Sequence, residues 1–145
     1  MPSSSTSLII YTDGGSRGNP GPSAAGVYVQ TMDKRYREFL GVGTNNFAEY
    51  QAIIYALKKA KALVGNASAQ HVHIEIRSDS QLVVNQLSGT FKIKEKDLFE
   101  LFIAVWNLKQ EFAGVTFTYV PREQNRIADA LVNEALDEHE QEGLF

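Results

Sequence analysis

The sequence has no cysteine, only four prolines and no long hydrophobic run. Without thiolates the chain forms neither disulfides nor cysteine metal sites, so oxygen or imidazole ligands must hold any bound metal ion. No apolar stretch approaches the roughly 20 residues that cross a bilayer. The polar, serine-rich residues 1–6 do not have the pattern of a secretory signal. We therefore expect no membrane partner and a cytoplasmic location.

An excess of positive charge is also missing, because the formal net charge of the 145 residues is -3. Domains that bind nucleic acid are usually basic, so the chain as a whole lacks their electrostatic pattern, which leaves only a local basic patch open. With 43% hydrophobic residues, the chain can form one domain with a single core. We expect a disordered N-terminal tail at 1–6, a folded domain at 7–138 and a C-terminal tail at 139–145, in a monomer.

The spacing of apolar residues predicts an α/β protein. Strands are predicted at 8–11, 24–31, 35–42, 71–77 and 115–120. Helices are predicted from 44 to 65, at 82–87, from about 95 to 113 and after 125. In the third of these helices we assign Trp106 to the core. The order of the elements indicates an antiparallel start followed by parallel crossover strands.

Asp13 follows an apolar strand and precedes two glycines. An acid at the end of a buried strand, beside glycines that let other backbone approach, is well placed to bind a metal ion. Asp-Gly is also a common turn signal, and by itself this dipeptide favours a turn. The glycine- and proline-rich stretch 14–22 is expected to be a surface loop. It is either a plain connection or an approach for a polymer, with Arg17 and Asn19 as polar contacts.

Three other acids stand near the starts of predicted helices. Glu49 follows Asn46 by three residues, which is the spacing of a capping box, so a purely structural role is open for it. Asp79 lies where a strand passes into a helix, a position that the helix dipole favours whatever the function. Asp129 lies beside the apolar stripe of the last helix, near its beginning.

These four acids share one kind of position, because each lies at a strand end or in a helix start. If the first and fourth strands are neighbours, the four positions converge on one edge of the sheet. Carboxylates that close together repel and raise each other's pKa unless cations lie between them. Hard divalent ions with oxygen ligands relieve that repulsion, and Mg²⁺, which keeps several waters, suits a site that binds phosphate.

Four segments together resemble a type 1 ribonuclease H. They are YTDGGSRGNPGP at 11–22, TNNFAEY at 44–50, SDSQ at 78–81 and NRIAD at 125–129. They are spread over nearly the whole chain and follow the family's order. Each segment alone is a weak signal, whereas the combination is specific and is not predicted by capping or turn roles for the single acids.

The resemblance implies a ribonuclease H-like fold: a five-stranded mixed sheet flanked by helices, with three antiparallel strands first and later strands parallel to the first. It implies a two-metal endonuclease that cuts the RNA strand of RNA-DNA hybrids without strong sequence preference and leaves 5'-phosphate and 3'-hydroxyl ends. Two Mg²⁺ ions, which Mn²⁺ can replace, would be held by the matching acids Asp13, Glu49, Asp79 and Asp129. Matching substrate contacts are Asn19, Asn45 and Gln81 at the minor groove and Thr44 at a DNA phosphate.

The chain departs from the family pattern in two places. The loop before the last helix lacks the histidine that many members carry, and we expect Arg122 or Glu123 to take part of its role, unless metal-bound water alone suffices. The basic helical protrusion is also missing, so the remaining candidates for a basic substrate contact are the lysines at 92, 94 and 96. The alternatives are a nuclease with broader RNA substrates, a non-catalytic hybrid-binding module and a reverse-transcriptase-type domain.

Overall fold

A mixed sheet of five strands forms the centre of the structure. The computed structural model describes residues 6–143, so the tail expected at 1–6 lies, except for Thr6, outside the described residues. The strands are β1 (Thr6–Ser16), β2 (Gly21–Val29), β3 (Lys34–Gly43), β4 (Val72–Ser78) and β5 (Gly114–Tyr119). Their order is β3-β2-β1-β4-β5. The pairs β1–β2 and β2–β3 are antiparallel and the pairs β1–β4 and β4–β5 are parallel, which confirms the expected mixed α/β sheet.

Helices cover both faces of this sheet. They are α1 (Asn45–Val64), α2 (Asn66–Ala69), α3 (Gln81–Leu87), α4 (Phe99–Lys109) and α5 (Arg126–Glu142). Alternate residues of a strand face opposite sides, and Val27 and Val29 of β2 join the large core beneath α1 and α4. Ala24 of the same strand packs instead against Val132 and Ala135 of α5. No helix within residues 6–143 has both the length and the apolar character needed to cross a membrane.

The first strand is longer than the sequence predicts. β1 continues through Gly14 and Gly15 to Ser16, because β2 pairs with it as far as Ser16↔Ser23. The parallel pairing with β4 stops earlier, at Thr12↔Ser78. The surface loop expected at 14–22 is therefore wrong at both ends, since only 17–20 connects the two strands. Asp13 lies inside β1 but just beyond the end of its pairing with β4.

Two glycines let the helices approach the sheet closely. A Cβ at Gly14 would lie 2.1 Å from the carbonyl oxygen of Ala48 in α1. A Cβ at Gly26 would lie 2.3 Å from the carbonyl oxygen of Ala128 in α5. Real Cβ atoms do not come that near to backbone oxygen. These contacts bring the first turns of α1 and α5 against the centre of the sheet.

The last helix also extends further than expected. We predicted a tail from residue 139, whereas α5 continues to Glu142. Tertiary contacts explain the added turn, because Arg17 forms an ion pair with Glu140 at 2.6 Å. The rings of Phe39 and His139 also stack, with centroids 3.8 Å apart. Arg17 and Phe39 lie outside α5, so the sequence of the helix alone does not predict these contacts.

The assignment of Trp106 to the core is wrong. Its side chain is 53% exposed, whereas that of Val105 is fully buried. Leu98, Leu101, Phe102 and Val105 join the large core, and this spacing of three and four residues sets the inward face of α4. Trp106 follows Val105 by one residue, a rotation of about 100° around the helix axis, so it projects away from the core.

We predict that Gly26→Ala lowers the free energy of unfolding by about 1–3 kcal/mol or more, because overpacking forces α5 away from β2. The midpoint of urea unfolding measures the change. Gly15→Ala is a matched control, since a Cβ at Gly15 has Val132 Cγ1 as its nearest neighbour, at an ordinary 3.6 Å. Equal midpoints for the two variants would contradict the close contact between α5 and β2.

Candidate active site

Three carboxylates meet at the edge of the sheet where β4 ends. Asp13 comes from β1, Glu49 from the second turn of α1, and Asp79 from the residue after β4. One oxygen atom from each lies within 4.8 Å of the others. Asp13 and Glu49 are each only 8% exposed, and Asp79 is half-buried. The sequence predicted this convergence on the condition that β1 and β4 are neighbours, and the structure places them side by side.

Asp129 lines the same cleft but is not within the 4.8 Å group. The cleft has a volume of about 380 Å³, and its lining includes all four predicted carboxylates. Asp129 lies in the first turn of α5, and its negative charge contributes to raising the pKa of Asp13 and of Asp79. The structure therefore combines a tight set of three acids with a fourth, Asp129, whose charge still acts on two of them.

Hydrogen bonds to both oxygens hold the Glu49 carboxylate in place. The backbone N–H of Gly14 donates to Oε1 at 2.8 Å, and Ser78 Oγ donates to Oε2 at 3.3 Å. The capping-box role considered for Glu49 is wrong, because Thr44 caps α1: its Oγ1 accepts from the N–H of Phe47 at 3.1 Å. Glu49 instead links α1 to β1 and β4.

Asn125 is a site residue whose role the sequence did not reveal. Its side chain is 1% exposed, and its Nδ2 donates to the carbonyl oxygen of Thr12 at 2.8 Å. The Asn125 amide also counteracts the rise in the pKa of Asp79. An asparagine before a helix usually indicates an N-cap, but this side chain does not cap α5. It connects the start of α5 to β1, and its Oδ1 has no partner among residues 6–143.

Burial and mutual repulsion raise the pKa of the acids. For Asp13 the main cause is burial, followed by the charges of Glu49 and Asp79. Burial also raises the pKa of Glu49, against the hydrogen bonds from Asp13, Gly14 and Ser78 that lower it. Asp13 and Glu49 therefore both resist ionisation, with the pKa of each raised above its ordinary value.

This arrangement fits a hard divalent cation. Its donors are carboxylate oxygens, which Mg²⁺ and Ca²⁺ prefer and which softer metals do not select. A bound cation would relieve the repulsion that raises the pKa of Asp13. The residues that would hold it are Asp13, Glu49 and Asp79, with Asp129 at the rim of the cleft.

Hydrogen bonds join two of the predicted substrate contacts at the rim of the cleft. The N–H of Asn45 donates to Asn19 Oδ1 at 3.0 Å, and the N–H of Ser16 donates to Asn45 Oδ1 at 3.0 Å. Both asparagines are exposed, as is Gln81 at the start of α3. The network fixes the 17–20 connection against the start of α1.

The two candidates for the role of the missing histidine lie in different places. Arg122 lines the acidic cleft, and its positive charge opposes the rise in the pKa of Asp79. Glu123 lines a separate cavity of about 270 Å³ together with Tyr11 and Tyr28. The geometry therefore favours Arg122 over Glu123.

Comparisons with known proteins give matches over most of the chain. A family model described as reverse transcriptase-like matches residues 12–135. The bifunctional protein Rv2228c of Mycobacterium tuberculosis is 38% identical over 135 residues, which are 90% of this chain and 35% of that protein. Ribonuclease HI of Halobacterium salinarum is 42% identical over 132 residues, which are 88% of this chain and 63% of that protein. The chain thus spans about a third of the mycobacterial relative and less than two thirds of the archaeal one.

Solved structures agree with this chain over almost their full length. The crystal structure of RNase H1 from Halobacterium salinarum superimposes with a TM-score of 0.83 and 40% identity, covering 91% of this chain and 98% of that one. The structure of LC11-RNase H1 in complex with an RNA/DNA hybrid gives a TM-score of 0.85 and 40% identity, with the same coverage of 91% and 98%. LC11-RNase H1 was isolated from compost by a metagenomic approach.

We predict that Asp13→Asn stabilises the metal-free protein at pH 8. Above about pH 4 an ordinary aspartate of the unfolded chain is ionised, whereas the raised pKa of Asp13 keeps a proton on the folded protein. The folded state then binds more protons, so its free energy of unfolding falls as the pH rises. The variant lacks this loss, and its melting temperature with chelator should exceed the parent's at pH 8 by a margin that shrinks toward pH 4.

Asp97→Asn, which changes an exposed aspartate outside the cleft, is the control and should leave the melting temperature almost unchanged. Added Mg²⁺ should raise the melting temperature of the parent more than that of Asp13→Asn, since binding to the folded state stabilises it. An equal margin at both pH values would contradict the raised pKa of Asp13.

Proposed function

The chain belongs to the type 1 ribonuclease H family, and from that premise we propose that it is a metal-dependent endonuclease that hydrolyses the RNA strand of RNA-DNA hybrids. The observation that carries the proposal is the set of three carboxylates within 4.8 Å. It is supported by the match to LC11-RNase H1 bound to an RNA/DNA hybrid. A monomeric state, a cytoplasmic location and the domain limits stay predictions.

In this proposal Asp13, Glu49, Asp79 and Asp129 hold two Mg²⁺ ions, which Mn²⁺ can replace. Held by these residues, two such ions would supply activation of the attacking water and stabilisation of the leaving 3'-oxygen, and cleavage would give 5'-phosphate and 3'-hydroxyl ends. The contribution of the protein is a set of oxygen ligands whose positions are fixed before the substrate arrives.

The chain fixes these ligands through elements that do not move independently. Asp13 is part of the central strand, and Glu49 is tied to Gly14 and Ser78 by hydrogen bonds. Asn125 donates to the backbone of Thr12 and counteracts the rise in the pKa of Asp79. A change in the position of one carboxylate would therefore disturb the others, and such preorganisation lowers the barrier of the reaction.

Asn19 and Asn45 suit contacts with the minor groove of a hybrid. The side-chain oxygen of each accepts an internal N–H, which leaves the NH₂ group as the free donor. That group can reach base acceptors or the oxygen of a 2'-hydroxyl, which distinguishes RNA from DNA. Gln81 contributes a further exposed amide at the start of α3, and Thr44 lies beside Asn45 for a DNA phosphate.

Cleavage of a labelled RNA-DNA hybrid tests the proposal. We expect the RNA strand of the hybrid to be cut with Mg²⁺ or Mn²⁺, not with chelator, and duplex DNA to stay intact. Asp13→Asn should lower the rate at least about a hundredfold, because a bound cation supplies several kcal/mol of transition-state stabilisation. Asp97→Asn should keep the parent rate. Metal-independent binding of the hybrid without any cutting would indicate the binding module instead, and equal cutting of duplex RNA would indicate a broader nuclease.

We also predict that Arg122→Ala lowers the turnover number about tenfold or more, because a cation beside the reacting phosphate stabilises developing negative charge. Glu123→Ala is the matched control and should keep the parent turnover, since its side chain lies outside the cleft. Arg122→Lys should restore part of the loss. Unchanged turnover in Arg122→Ala would indicate that Arg122 does not replace the missing histidine and that metal-bound water alone suffices.

A further inference from the structure

A group of large apolar side chains is exposed on α3, on α4 and on the segment between them. The exposed fractions are 37% for Leu82, 52% for Phe91, 43% for Phe99, 56% for Ile103 and 53% for Trp106. On α4 the spacing of four and three residues places the last three along one side of the helix. We call these five residues the aromatic surface. Exposed apolar patches of this kind mark binding sites.

Two adjoining grooves run across this surface. One has a volume of about 430 Å³ and includes Leu82 and Phe91 in its lining. The other, of about 390 Å³, includes Phe91, Phe99 and Ile103. Leu82 lies in the first turn of α3, next to the part of the chain that carries Asp79 into the cleft. A strand that leaves the cleft along α3 therefore enters the grooves directly.

Lysines accompany the grooves at the end nearest α3. Lys92, Lys94 and Glu95 line the first groove, and Lys96 follows Glu95 in the sequence. Lys92, Lys94 and Lys96 are exposed and make no ion pair within residues 6–143. Aromatic rings beside lysines are the arrangement that binds single-stranded nucleic acid, since bases stack on the rings while cations contact phosphates.

The lining of the second groove favours DNA over RNA. Gln86 is a polar side chain shared by the two grooves, and its amide is already engaged. Tyr50 donates to its Oε1 at 2.7 Å, and its Nε2 donates to the carbonyl oxygen of Lys92 at 3.4 Å. The second groove otherwise presents Gly89, Phe91 and other apolar residues. A 2'-hydroxyl buried there would lack a partner, which is costly, whereas deoxyribose carries no such group.

Resting on the proposed hybrid nuclease function, we propose that the aromatic surface binds single-stranded DNA that continues beyond the end of the hybrid. The phosphates follow the lysines of the 92–96 segment, and the bases stack on Phe91, Phe99 and Trp106. The enzyme then selects hybrids whose DNA strand extends past the RNA, and it holds a strand that it does not cut.

Fluorescence anisotropy in the Asp13→Asn background with Mg²⁺ tests this proposal without cleavage. The substrates are a blunt hybrid, the same hybrid with a ten-nucleotide DNA overhang at either end, and the same hybrid with matching RNA overhangs. We expect a DNA overhang to tighten binding about tenfold, the effect of stacking one or two bases, and an RNA overhang to tighten it less.

Phe91→Ala and Trp106→Ala should abolish the gain from the DNA overhang and keep the affinity for the blunt hybrid. Trp106→Tyr should retain the gain, because it keeps a ring for stacking. Met32→Ala, which changes an exposed apolar residue outside the surface, should have no effect. Replacing the three lysines by glutamine should reduce both the gain and its dependence on salt.

Equal affinity for blunt and overhanging hybrids would overturn the proposal, as would an equal gain from RNA. Light scattering that shows a dimer dissociated by Trp106→Ala, with no gain from overhangs, would assign the surface to a second copy of the chain. If the blunt hybrid is bound by this background and cut by the parent while overhangs add nothing, only this inference fails. If the blunt hybrid is neither bound nor cut, the proposed function fails and the inference falls with it.

Discussion

Repulsion between buried carboxylates is the constraint on which the rest of the structure depends. Asp13, Glu49 and Asp79 are held within 4.8 Å of one another, where burial and neighbouring charge oppose ionisation. A free chain would separate these groups. The fold keeps them together because each is attached to a different rigid element, and a well-packed core stabilises all three elements at once. Without a cation, the site therefore costs stability that the remainder of the domain must supply, as is common where function requires like charges to meet.

Close backbone contacts transmit this constraint to the core. Because Gly14 has no side chain, α1 approaches β1 closely, and the N–H of Gly14 donates to the carboxylate of Glu49. Gly26 likewise allows the close approach of α5, whose first turn carries Asp129. Asn125 completes the arrangement from the loop between β5 and α5, since its buried amide binds the backbone immediately before Asp13. A glycine or an amide at these positions thus acts on the reaction by setting the distance between elements.

The sequence predicted the element order, the mixed sheet and the approach of the four acids, because apolar periodicity and the family segments are local patterns. It failed where distant partners decide the outcome. β1 extends to Ser16 because β2 pairs with it, and α5 extends to Glu142 because Arg17 and Phe39 contact its last turns. Trp106 was misassigned because an apolar helix can follow more than one stripe, and only the packed core selects the stripe that is buried. Asn125 begins one of the family segments, but its buried role was not predicted, since its position resembles an ordinary cap.

Electrostatics connects the acidic cleft to a polyanionic substrate. The chain carries a net charge of -3, and without cations the four carboxylates would repel the phosphates that the proposed function requires them to meet. Bound cations would reverse the sign of the local field, so in the proposed function the metal would serve substrate binding as well as chemistry. Cation and hybrid must then strengthen each other's binding by the same factor, because coupling between two ligands is reciprocal. A compact domain without a basic protrusion depends on this coupling, since Arg17 and Arg122 are the cationic residues among those that line its cleft.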